Sequence, residues 1–125
     1  MERLTATPAG VTLCALADLP DPGARNFVLE LRAGRFFGFV VRRGEAVAGY
    51  VDRCPHLGLP LAKTLDAYWS ASGEHLECDW HGALFRPEDG MCVAGPCTGA
   101  RLTPWPVEVR DGRIVTAARP GAGLA

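Results

Sequence analysis

Apolar residues in this chain come in short runs broken by Gly, Pro and Asp, and no stretch keeps the helical period for three turns. Residues 25–32 (RNFVLELR) and 36–43 (FFGFVVRR) are rich in β-branched and aromatic side chains and are parted by Ala33-Gly34, which predicts a hairpin. Arg43-Gly44-Glu45 then turns the chain into a strand over 46–52 that ends just before Cys54. Residues 11–16 alternate weakly as a strand, and the prolines and glycine of 18–23 end it. Residues 74–78 (EHLEC), 83–86 and 91–93 read as short strands, the last two joined by the turn Pro87-Glu88-Asp89-Gly90. Residues 102–105 are extended, and 107–110 and 113–116 flank Asp111-Gly112, the plainest hairpin signal in the sequence. From Ala117 the pattern dissolves into Ala, Gly and Pro, so a mobile tail is expected over about 118–125. The expected fold class is therefore all-β, built of antiparallel hairpins.

Composition narrows the picture by exclusion. A chain of 125 residues is expected to form one domain with a core that needs no disulfide staples. With 48% hydrophobic and 22% charged residues and a net charge of −1, it has no basic field for nucleic acid. No apolar run approaches a membrane span, and Met1-Glu2-Arg3-Leu4-Thr5 lacks a charged-then-apolar leader pattern, so a cytoplasmic protein without a membrane partner is expected. No Gly-rich phosphate loop, Ser/His/Asp set or carboxylate pair suited to acid–base chemistry is present, and no catalytic residue is expected.

Chemistry concentrates in two places. Cys54-Pro55-His56 and Cys78-Asp79-Trp80-His81 each offer one thiolate and one imidazole from a single short loop. Facing one another, the loops supply two sulfurs and two nitrogens, enough for one tetrahedral zinc or for a [2Fe–2S] cluster with two Cys on one iron and two His on the other. Common zinc-finger spacings group Cys with Cys and His with His, whereas each loop here mixes them, which favours the cluster. His75 has no cysteine beside it and is read as a surface residue. Cys14, Cys92 and Cys97 are read as small packing residues.

The segments Arg53-Cys54-Pro55-His56-Leu57-Gly58 and Cys78-Asp79-Trp80-His81-Gly82-Ala83-Leu84-Phe85 resemble the two cluster-binding loops of Rieske iron–sulfur proteins. Gly95-Pro96 resembles the proline-containing third loop that covers the cluster in that family. The resemblance implies a Rieske-like β-sandwich carrying a small cluster-binding subdomain over about 53–97. It also implies one [2Fe–2S] cluster on Cys54, His56, Cys78 and His81. In respiratory-complex members a disulfide ties the two loops; the matching positions are Leu59 and Trp80, so that bond is absent here. Twenty-one residues, 57–77, separate His56 from Cys78, a few more than the family usually has, with the surplus around 65–73. Tyr68-Trp69 in that insertion reads either as a docking patch or as an anchor for the hairpin. Trp69, Trp80 and Trp105 are read as core or cluster-shielding residues rather than electron relays.

A cluster in a small β-domain without a substrate pocket implies an electron carrier, of the kind that resembles ferredoxins passing electrons from a reductase to a terminal oxygenase. Two alternatives stand beside it: a small subunit of a larger redox enzyme such as a nitrite reductase, and a zinc-stabilised structural domain. The chain is too short to hold a mononuclear-iron oxygenase domain as well. High-potential members carry a serine and a tyrosine where this chain has Ala83 and Phe85, so a low reduction potential is expected.

Overall fold

Strand β4 (Gly34–Arg43) is buried along most of its length because both of its faces are covered. Side chains alternate across a strand, so Phe39 and Val41 point into one core while Phe36 and Val40 point into the other. The neighbouring strand β5 (Ala46–Val51) divides in the same way, Ala48 and Tyr50 to one side and Val47 and Val51 to the other. A nearly unbroken apolar run, FFGFVV, is what a strand with no solvent face requires.

This computed structural model describes residues 3–55, 60–62, 66–80, 82–119 and 124. In chain order the elements are β1 (Arg3–Leu4), β2 (Thr12–Ala15), a single 3-10 turn (Leu16–Asp18), β3 (Gly23–Leu31), β4, β5, β6 (Leu76–Cys78), β7 (Ala83–Phe85), β8 (Cys92–Ala94), β9 (Val107–Arg110) and β10 (Arg113–Thr116). They form three sheets: β3-β4-β5 with β1 added to β4, β2-β10-β9, and β6-β7-β8. The all-β expectation holds, with β1 the exception to antiparallel pairing, because Arg3 and Leu4 run parallel to Arg35 and Phe36. A two-residue strand leaves no pattern to read in a sequence.

The long hairpin pairs Gly23 with Arg42 through Leu31 with Gly34, two residues longer at its start than its apolar run suggested. The β9–β10 hairpin turns on Asp111 (φ 52°) and Gly112 (φ 74°), both left-handed, as a tight two-residue turn demands. Ile114 and Val107 from this sheet, Phe27, and Trp105 fill the core on one side of β4. Trp105 lies 4.7 Å from Phe36, ring centre to ring centre, and its indole N–H donates to Thr7 Oγ1 at 2.9 Å. A Cβ on Gly38 would fall 2.6 Å from Phe36 and 2.7 Å from Trp105, so the bare glycine lets both rings close over the strand.

The other side of β4 packs against the third sheet. Leu76, Cys78, Ala83, Phe85 and Cys92 are buried there with Phe39, Tyr50 and Leu61. Leu124, within the stretch expected to form a tail, is buried in this second core. The extended segment 102–105 runs beside β5: Val51 N donates to Thr103 O and Trp105 N to Gly49 O, both at 2.9 Å. The same segment is tied to the turn before β8 by Leu102 N donating to Gly90 O at 2.9 Å.

Candidate metal centre

Two strand ends bring the cysteines together. Cys54 follows β5 after Asp52 and Arg53, and Cys78 is the last residue of β6. Both side chains have no exposed surface, neither is in a disulfide, and both lie in the same buried cluster with Leu61, Ala83 and Cys97. His56 and His81 lie outside the described residues. Among the described residues no three His, Cys, Asp or Glu side chains are grouped to hold a metal ion, and half of the expected ligand set is not among them. Two fully buried thiols, one just beyond the end of β5 and one at the end of β6, fit a soft metal centre, since thiolate sulfur is the donor that iron–sulfur clusters use.

The loops are joined by main-chain and side-chain hydrogen bonds. Asp79 N donates to Leu61 O at 2.8 Å, and Trp80 Nε1 donates to Pro60 O at 2.7 Å, so the second loop is fastened to the end of the first. Gly82 N donates to Cys78 O at 2.8 Å and closes the second loop into a tight turn. The third loop leans on the second: a Cβ on Gly95 (φ 93°) would fall 2.9 Å from Ala83 Cα. Thr98 Oγ1 donates to Gly95 O at 2.8 Å and keeps this loop folded on itself.

Cys97 belongs to that third loop and Cys92 opens β8, the strand leading into it; both are buried. Burial, and then the neighbouring Cys92 thiol, push the Cys97 thiol up to about 12, so it stays protonated and neutral. Cys14 is half-buried beside the first core and is likewise shifted upward, mainly by burial. All three have the surroundings of packing residues. His75 is half-buried and its backbone is bonded to Ser70.

Of the two readings of Tyr68-Trp69, the structure favours the anchor. Tyr68 is 2% exposed and stacks on Phe39 with ring centres 4.1 Å apart. Trp69 is half-buried, donates from Nε1 to Gly23 O at 2.9 Å, and carries Arg43 over its ring at 5.2 Å. Asp66 Oδ1 accepts from Asn26 N at 2.6 Å, so the insertion also covers part of the outer edge of β3. Trp105 is core, as expected, whereas Trp80 is 43% exposed beside the second loop.

Asp52, at the end of the strand expected over 46–52, does more than extend it. Asp52 is 4% exposed, and its carboxylate accepts from Leu61 N at 3.0 Å, Tyr68 OH at 2.8 Å and Asn26 Nδ2 at 3.1 Å. It spans the mouth of the loop that carries Cys54. An acid placed between an apolar strand and Cys-Pro-His was the available signal, because a buried carboxylate must find donors.

A family model for the Rieske [2Fe-2S] domain matches residues 11–114. Ferredoxin CarAc of Metapseudomonas resinovorans is 32% identical over 106 residues, covering 84% of this chain and 90% of that protein. A chain in the solved complex of reduced oxygenase and oxidized ferredoxin in carbazole 1,9a-dioxygenase is 28% identical with a TM-score of 0.70, covering 92% of this chain and 98% of that one. Sphingomonas yanoikuyae B1 ferredoxin, at 23% identity and a TM-score of 0.66 over 88% of this chain and 99% of its own, shares the fold. These likenesses replace the zinc reading with the iron–sulfur one. Among the described residues no helix is long and apolar enough to cross a membrane. The chain belongs to the Rieske [2Fe–2S] family, as one of its small ferredoxins: an electron carrier that is not itself a catalyst.

Proposed function

We propose that Cys54 and Cys78 bind one iron of the cluster and His56 and His81 the other, and that the protein carries single electrons from a reductase to a Rieske-type terminal oxygenase. The observation that carries the partner assignment is the 28% identity, over nearly the whole of both chains, to a chain solved in an oxygenase–ferredoxin complex. Ferredoxin CarAc, matched along 90% of its length, supports the same reading. The whole chain, 1–125, acts as one domain, with residues 53–97 forming the cluster-binding part. Its place is the cytoplasm.

When bound, a [2Fe–2S] cluster supplies a one-electron couple, and the protein sets its potential and exposure. Cys54 and Cys78 present their sulfurs from fully buried positions, which keeps water from the thiolate side. Strands β5 and β6 fix the two cysteine backbones, and the Asp79–Leu61 and Trp80–Pro60 hydrogen bonds hold the loops at one separation. The third loop, seated on Ala83 through Gly95, limits access from the other side. Exposed Trp80 gives the second loop an apolar outer surface for a partner.

Reconstitution tests the reading. Product formation by a mixture of reductase, oxygenase and this protein should collapse when this protein is left out, and reduced protein mixed with the oxygenase should be reoxidised within the turnover time. Undiminished product without it, or no reoxidation by any Rieske-type oxygenase, would overturn the assignment.

A further inference from the structure

We infer that Cys92 and Cys97 are a modification site: hydrogen peroxide joins their thiols in a disulfide that staples the base of the third loop and slows loss of the cluster. The bond stands apart from the ligand reading above; its effect on the cluster rests on that reading. Neither thiol is in a disulfide in this structure, and both are buried in the second core, Cys92 at 1% and Cys97 at 6% exposure. The main chain folds one against the other. Cys92 N donates to Ala100 O at 2.8 Å and Gly99 N donates to Cys92 O at 3.1 Å, while Ala100 N donates to Cys97 O at 2.8 Å, so the chain leaves β8 and is turned back onto it. Cys92 Sγ donates its proton to Ala94 O at 3.3 Å. The two thiols are also hydrogen-bonded to each other, and with the Cys92 proton so engaged, Cys97 is the donor and Cys92 Sγ the acceptor.

Two thiols in hydrogen-bonding contact need only draw together to a bond length of about 2.05 Å to become a disulfide. Cys97, the less covered of the two, attacks a peroxide oxygen; the O–O bond breaks, one water leaves and the sulfur becomes a sulfenic acid. Cys92 then attacks that sulfur, the S–O bond breaks and a second water leaves. Two thiols and one hydrogen peroxide thus become one disulfide and two waters, the two electrons passing from sulfur to oxygen. Only a small oxidant reaches so buried a pair, and neutral thiols react slowly, so the bond forms under sustained peroxide rather than at each electron transfer. Cys14, packed against the other core, is outside this pair. The disulfide closes a ring over residues 92–97 that contains Gly95, the residue by which the third loop rests on Ala83. A loop stapled at its base opens less often.

The test treats the holoprotein with a small excess of hydrogen peroxide, stops the reaction with catalase, and unfolds the protein in the presence of a maleimide. Labelled thiols should fall from five to three, and a reductant given before labelling should restore all five. Tandem mass spectrometry should place the new bond between Cys92 and Cys97. Iron release to a chelator from the bonded protein should slow by roughly tenfold, below the limit of about thirtyfold that closing so short a loop sets. In Cys92→Ala and in Cys97→Ala, peroxide should leave the release rate without this slowing. Five labelled thiols after treatment, a bond mapped to any other pair, or release that is unchanged or faster in the bonded protein overturns the inference. Should either variant fail to load a cluster, the map and the release rate of the wild type decide alone. A wild-type protein without a Rieske spectrum would instead refute the ligand reading, before any peroxide is added.

Discussion

The indole N–H of Trp80 donates to the carbonyl of Pro60 at 2.7 Å, tying the second cluster loop to the end of the first. Trp80 is one of the two positions at which respiratory-complex relatives are expected to place their inter-loop disulfide; the other, Leu59, lies outside the described residues. A hydrogen bond thus does weakly, and reversibly, what a covalent bond does there. Trp80→Phe keeps an aromatic surface and removes the donor. The expected cost is about 1 kcal/mol, toward the low end because the side chain is half in water, read as faster bleaching of the visible spectrum on warming. An unchanged bleaching rate would show that the Asp79–Leu61 bond suffices.

Gly95 seats the third loop on the second. Gly95→Ala places a methyl 2.9 Å from Ala83 Cα at a backbone angle, φ 93°, that side chains rarely adopt. The cost should be roughly 1–3 kcal/mol from strain and overpacking together. Thermal melting and the rate of iron release to a chelator should both report it, with the larger change in iron release because the displaced loop lies over the site.

Ala83 and Phe85 are both fully buried on β7, where high-potential relatives are expected to carry hydroxyls aimed at cluster sulfur. Ala83→Ser and Phe85→Tyr should each raise the midpoint by roughly 40–90 mV, from about 1–2 kcal/mol of differential hydrogen bonding. The wild-type midpoint should lie toward the low end of the Rieske range of about −150 to +300 mV. A strongly positive wild-type midpoint would contradict this explanation.

The turn before β8 provides a pH test. Arg86, whose guanidinium pairs with Asp89, and then the amide of Met91 at 3.0 Å hold the Asp89 carboxyl below its ordinary value. A depressed carboxyl contributes stability above its unfolded value of about 3.9, and the contribution is lost as pH falls through the folded value. Asp89→Asn should therefore melt slightly lower than wild type at about pH 6, with the gap closing toward about pH 2. Solvent screening keeps the effect small, because the pair lies at the surface. A gap that widens in acid would reverse the assignment.

Hairpins with strong apolar runs and explicit turn residues were legible in the sequence: β3–β4, β4–β5 and β9–β10 all form close to their expected limits. Cys54 and Cys78 were legible as a pair because Cys and His within three residues of each other, twice, is rare without a metal. What escaped was long-range. The parallel pairing of β1 with β4 depends on Arg3 and Leu4 meeting a strand some thirty residues away, and two residues cannot announce it. Asp52, Asn26 and Tyr68 each look ordinary locally; only the fold brings them within hydrogen-bonding distance. Trp69 could not be assigned to surface or core from its own flanks, since the answer depended on Gly23 and Arg43.

The central claim is that two histidines and two cysteines of this chain share one [2Fe–2S] cluster. The most direct measurement is electron–nuclear double resonance on the reduced protein labelled with nitrogen-15 in histidine only. Two distinct, strongly coupled imidazole nitrogens should appear, one of which disappears in His56→Cys and the other in His81→Cys. A cluster signal without coupled histidine nitrogen would contradict the account.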